Sequence, residues 1–143
     1  MPKKLHTEIL IQASPAKVWA IFSDFAAYPA WNPFVKKLEG QPCEGGKIKV
    51  WLPGMAFAPK VLSYKPPHEL RWKGKLLLPG LFDGEHYFVF SGNANGTTTL
   101  RHGEIFSGLL VPLFAKMLDT KTLEGFKQMN EALKQRVEKS RPA

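Results

Sequence analysis

The sequence predicts an α+β fold: a curved antiparallel sheet of about seven strands wrapped round a long C-terminal helix, with two short helices after the first strand. Three observations carry this. Seven short segments alternate apolar and polar residues between turn signals, Pro112 to Lys139 carries a helical apolar stripe, and a proline-broken aromatic stretch follows the first segment.

The first strand runs from Leu5 to Ile11 and stops at Ala13-Ser14-Pro15. There Ser14 can cap a helix whose first position Pro15 fills without losing a needed donor. Val18, Ile21, Phe22 and Phe25 then recur at helical spacing, so one face of Pro15 to Ser23 must be buried. From Asp24 to Phe34 the prolines break any long helix while the aromatic side chains demand burial, which predicts a second short helix and a turn. The remaining strands are Val35 to Glu39, Lys47 to Leu52, Phe57 to Tyr64, Glu69 to Lys75, Gly84 to Ser91 and Thr97 to Phe106. Their connections, including Pro53-Gly54, Lys65-Pro66-Pro67, Leu78-Pro79-Gly80 and Asn93 to Gly96, are too short for parallel crossovers and predict a meander. Period-two alternation puts Ile48, Val50 and Leu52, then Leu70, Trp72 and Gly74, then His86, Phe88 and Phe90, then Leu100, His102, Glu104 and Phe106 on one inner face. The final helix, roughly 40 Å long at 1.5 Å per residue, aligns Leu118, Thr122, Gly125, Phe126, Met129, Leu133 and Val137. Gly125 lies within that stripe, where it costs about 1 kcal/mol against alanine, so its use is the close approach of the sheet or of a ligand.

With 143 residues, 44% of them hydrophobic, the chain is expected to form one domain over 1–143 with a core from about 5 to 138. No apolar run approaches the roughly 18 residues of a membrane span, and His6 and Glu8 interrupt the stretch a signal peptide needs, so a cytoplasmic location is expected. The single cysteine, Cys43, excludes an internal disulfide and a thiolate metal site, and no cofactor motif is present. The net charge of +8 invites a polyanion partner. However, Lys47, Lys49, Arg71, Lys73 and Lys75 alternate along strands as a solvated face does, and no nucleic-acid-binding motif accompanies them. Neither metal nor specific nucleic acid is expected.

Ala13 to Trp19, then Asp24-Phe25 with Tyr28 to Phe34, resembles the opening of the SRPBCC (START-like) superfamily, in its polyketide cyclase/dehydrase and lipid-transport branch. Pro66 to Trp72, Leu78 to His86, Gly96 to Thr98 and Glu104 to Leu110 resemble successive blocks of the same family. The resemblance implies a helix-grip fold with a ligand tunnel beneath the long helix. It also implies a range of functions, from lipid and coenzyme Q carriage to aromatase and cyclase activity.

On that basis the expected ligand cavity is lined by Val50, Trp72, His86, Phe88, Phe90, Leu100, His102, Phe106, Leu118, Thr122, Gly125, Phe126 and Met129. The alternative is that these side chains fill the space as solid core. His86, His102 and Glu104 are the polar exceptions on the inner face and are candidate general acid/base groups; alternatively they hydrogen-bond each other, or Tyr87 and Arg101, to satisfy buried polarity. The helix start is apolar all round, so Leu109, Leu110, Leu113 and Phe114, with Trp31 and Phe34, either pack together or form a portal that docks on a membrane or protein. The leading expectation is a binder or carrier of a small hydrophobic molecule, acting as monomer or homodimer. The alternatives are a cyclase, dehydratase or hydrolase, and an interaction module.

Overall fold

The computed structural model describes residues 2–76 and 80–140. The turn expected at Leu78-Pro79 therefore lies largely outside the described residues.

Strand β1 (Lys3–Ile11) is followed by α1 (Pro15–Phe22), a single 3-10 turn (Phe25–Ala27) and α2 (Tyr28–Trp31). The start of α1 is built as its sequence dictates, with Pro15 in the first turn and Ser14 Oγ accepting from the Lys17 N–H. Three short strands come next, β2 (Lys37–Glu39), β3 (Lys49–Leu52) and β4 (Met55–Phe57). Four longer ones follow, β5 (Lys60–Lys65), β6 (Glu69–Leu76), β7 (Phe82–Gly92) and β8 (Thr98–Ser107). The chain ends in α3 (Val111–Met117), a π turn (Leu118–Thr122) and α4 (Leu123–Lys139).

All strand pairs are antiparallel, and they form two sheets rather than one. The large sheet has the order β1-β8-β7-β6-β5 and the small one β2-β3-β4. The strand expected over Phe57 to Tyr64 is two strands, because Ala58-Pro59 interrupts it and proline has no N–H for a ladder. The loop leading into β3 is tied to β5 and the residue before it by backbone bonds from Gly45, Val61 and Ile48 N–H to Val61, Gly46 and Pro59 carbonyls.

The inner face matches the alternation in the sequence. Cross-strand partners Leu70 and Phe88, Trp72 and His86, Phe88 and His102, and Phe90 and Leu100 fall in register. The stripe Phe126, Met129, Leu133 and Val137 of α4 is buried, and α4 packs over β1 and β8 and against α1 and α2. Between them lies a close-packed aromatic core in which Phe22 meets Phe88 and Phe90 at 4.9 and 4.8 Å between ring centroids. Among the described residues, no helix is long and apolar enough to cross a membrane.

Candidate functional site

At one end of this core the packing stops and a pocket of about 760 Å³ opens. The β3–β4 hairpin forms one wall through Leu52, Pro53, Met55 and Phe57; Gly74, Lys75, Phe82, Gly84, Glu104 and Phe106 at the ends of β6, β7 and β8 form the floor. Met117 to Gln128 of the C-terminal helical segment supply the roof, and Pro33 and Phe34 close the inner end. The helix borders the pocket at the π turn, where the Leu123 N–H reaches back five residues to the Leu118 carbonyl. Such a turn holds one residue more than an α turn and is frequent beside ligand sites.

Of the side chains expected to line a cavity, Phe106, Leu118, Thr122 and Gly125 do so. Val50, Trp72, His86, Phe88, Phe90, Leu100, His102, Phe126 and Met129 do not: they lie in the closed core behind the pocket, each almost fully buried. There the solid-core alternative holds, because rings from α1, β6, β7, β8 and α4 interdigitate and leave no room. Phe34, expected at the portal, is instead buried against the ring of Phe126 at 5.2 Å. It is held there by Asn32, whose Oδ1 accepts from the Phe34 and Val35 N–H groups. Gly125 makes room for this Phe34 ring, which a Cβ there would meet at 2.8 Å. Of the other portal residues, Trp31 packs on Tyr28 and Leu110 is half-buried. Leu109 and Leu113 stand 81% and 75% exposed, and Phe114 leans on Phe82 rather than on the aromatic corner. Met117, also exposed, joins this apolar surface to the pocket rim. A second hollow of about 560 Å³ beside Phe25 and Leu38 contains none of the expected site residues.

The three polar residues of the inner face come together. Glu104 Oε1 lies 3.0 Å from His86 Nδ1, and His86 Nε2 lies 2.7 Å from His102 Nε2. His102 Nδ1 is 2.8 Å from Asn130 Oδ1. Asn130 Nδ2 donates to Thr7 Oγ1 at 2.8 Å, and the Thr7 hydroxyl donates to the His102 carbonyl at 2.6 Å. Tyr87 and Arg101 take no part, being engaged with His6 and with Ser91. Thr7 and Asn130 were not singled out from the sequence. The available signal was a polar residue on the buried side of each element, between Leu5 and Ile9 in β1 and after Met129 in α4.

The direction of each bond from Thr7 back to His86 Nε2 is fixed by the last member of the chain, with His102 neutral. A backbone carbonyl only accepts, so Thr7 spends its proton on the His102 carbonyl and must accept from the Asn130 amide. Asn130 Oδ1 therefore accepts from His102 Nδ1–H, and a neutral His102 presents a bare Nε2 that accepts from His86 Nε2–H. With His86 kept neutral by burial, its Nδ1 is an acceptor too, and Glu104 carries the proton it donates there. Burial enforces the same states. It pushes the Glu104 carboxyl up to about 8 and the His86 imidazole down to about 3. His102 is driven well below the usual histidine range by burial and by neighbouring His86, against an opposing contribution from its Asn130 bond. The Glu104–His86 contact is thus a neutral hydrogen bond, not an ion pair. Around it, His102 is sandwiched between Phe88 and Phe126 at 4.4 and 4.6 Å, and His86 stacks on Trp72 at 5.0 Å.

Only Glu104 of this cluster reaches the pocket. Its carboxyl keeps 16% exposure, whereas the His86 side chain keeps 3%. Gly84 makes that position available, since a Cβ there would overlap Glu104 Oε2. Among the described residues no group of His, Cys, Asp and Glu side chains is arranged to hold a metal ion.

The profile of a protein family described as polyketide cyclase/dehydrase and lipid transport matches residues 2–138. No functionally curated protein gives a significant match. Among solved structures, a START superfamily protein from Mycobacterium smegmatis is 23% identical with a TM-score of 0.70, covering 95% of this chain and 97% of its own. The Zhui aromatase/cyclase from a Streptomyces strain is 13% identical with a TM-score of 0.77, covering 97% and 95%. Norcoclaurine synthase from Thalictrum flavum, solved with dopamine and hydroxybenzaldehyde, is 16% identical with a TM-score of 0.73, covering 100% and 90%. At these identities the likeness is one of fold, a helix-grip fold like that of the START superfamily protein, while the family match spans nearly the whole sequence: this chain belongs to the polyketide cyclase/dehydrase and lipid-transport family.

Proposed function

We propose that this protein binds a small, largely apolar molecule in the pocket between the β3–β4 hairpin and the π turn. The observation that carries this is the contrast within one molecule. The chain packs rings to closure over most of the sheet–helix space yet leaves about 760 Å³ open beside them, lined chiefly by Phe, Leu, Met and Pro side chains. The exposed apolar surface formed by Leu109, Leu113 and Met117 adjoins the rim and suits ligand passage from a membrane or protein. One structural relative holds aromatic compounds of a single ring, so small aromatics are apt probes. Titration of a fluorescent naphthalene probe should give saturable binding. Met55→Trp, which fills the pocket from its rim, should weaken it at least tenfold while leaving the thermal midpoint within a few degrees. Unchanged binding in that variant would place the site elsewhere.

The second reading is acid/base catalysis, favoured by one observation: the Glu104 carboxyl lies at the pocket wall, where burial pushes it up to about 8. It narrows the candidates to Glu104, because His86 and His102 are sealed behind it and can act only through it. Glu104→Gln should then keep probe binding and lose turnover of any substrate found. Undiminished turnover in that variant would end the catalytic reading.

A further inference from the structure

We propose that the pocket selects ligands that present a hydrogen-bond donor, a hydroxyl or phenol, to Glu104 Oε2. The inference rests on the pocket-binding reading above and specifies what kind of apolar molecule it admits.

It follows from the direction of the buried chain. The Thr7–His102 carbonyl bond sets the roles back to His86 Nε2–H, and with His86 neutral Glu104 spends its single proton on His86 Nδ1 through Oε1. A carboxylic acid has one proton, so Oε2 is left as a carbonyl-type oxygen that can only accept. Among the described residues Oε2 has no hydrogen-bond partner, although it is not sealed off as a buried orphan is. Gly84 supplies the space in which it sits, and both residues line the pocket. A ligand hydroxyl reaching this oxygen completes the chain. An ether, ketone or carboxylate at the same place sets acceptor against acceptor and leaves Oε2 desolvated without a partner. The reverse arrangement, in which Glu104 donates to the ligand, would strip His86 of its donor and cannot be repaired downstream, because neither Asn130 nor the His102 carbonyl can change role.

The test compares 2-naphthol with 2-methoxynaphthalene, two probes of nearly one shape that differ in the donor. Wild-type protein should bind 2-naphthol roughly three- to tenfold more tightly, the range of one net hydrogen bond. Glu104→Gln should keep that order, since its amide N–H can donate to His86 while its carbonyl faces the pocket. Glu104→Leu should reverse it in favour of the larger, more apolar ether; if that variant does not fold, the order in wild type and Glu104→Gln decides. Equal binding of the two probes, or preference for the ether in wild type, overturns the donor proposal and leaves the pocket reading standing. Binding of neither probe removes both.

Discussion

His86 Nε2 and His102 Nε2 face each other at 2.7 Å across neighbouring strands, one proton between two imidazoles that the surrounding rings keep uncharged. Charging His102 would place two N–H donors face to face, and burial disfavours a charge on His86 as well. Both rings should therefore hold a single tautomer, protonated at Nε2 in His86 and at Nδ1 in His102. Nitrogen chemical shifts of the two imidazoles should stay those of neutral rings between pH 5 and pH 8; titration near 6.5 would refute the chain as drawn.

Linkage turns the same cluster into a stability profile. The Glu104 carboxyl is raised from 4.5 to about 8, so its contribution is fully present below pH 4.5 and is lost as pH rises through 8. The imidazoles are lowered from 6.5, so theirs is present above pH 6.5 and is lost as pH falls. Each group changes stability by about 1.4 kcal/mol per pH unit at most. Between 4.5 and 6.5 the two histidines outweigh the one carboxyl, and above 6.5 the carboxyl acts alone, so this cluster places maximum stability near pH 6.5. Urea titrations across that range should show the peak, and Glu104→Gln should remove the fall on its alkaline side.

Gly84→Ala is expected to be costly although it adds one methyl group. The new Cβ overlaps the Glu104 carboxyl and drives it from His86, which leaves a buried acceptor unpaired. A loss of about 2–4 kcal/mol should appear in denaturant unfolding. Infrared spectra at neutral pH should also lose or shift the carbonyl stretch of a buried protonated acid, a band that Glu104→Gln must abolish.

Gly125→Ala sets two effects against each other. Alanine gains about 1 kcal/mol of helix propensity, but its Cβ meets the Phe34 ring at 2.8 Å, and that ring is confined by Phe126 and His86. Overpacking typically costs about 1–3 kcal/mol. The variant should be less stable by about 1 kcal/mol, with Phe34 displaced toward the pocket and naphthalene probes bound more weakly. A stabilised variant with unchanged binding would mean that the ring yields freely.

The alternation along Leu70–Trp72, His86–Phe90 and Leu100–Phe106 made the inner face legible in the sequence, because strand periodicity is a local property. So were the cap at Ser14 and the buried stripe of α4. The pocket was not. Whether Phe88 and Phe126 interdigitate or stand apart depends on the spacing of elements distant in sequence, and no periodicity records that spacing. The same limit hid Met55, which the sequence assigns to no strand, and Phe57, which it assigns to the strand running on to Tyr64. The hydrogen-bonded chain was half legible: His86, His102 and Glu104 fall on one face by alternation, whereas Asn130 joins them only because α4 crosses at that point.

The division of the strands into two sheets gives the molecule separable parts. Leu52, Met55 and Phe57, which bound the pocket, sit on a small sheet with its own hydrogen bonds, while the aromatic core belongs to the large sheet and the helix. Changes in the hairpin can thus resize the ligand space without reopening the core. Substitutions at residues 52–57 redraw the pocket while leaving in place the rings that keep the chain folded.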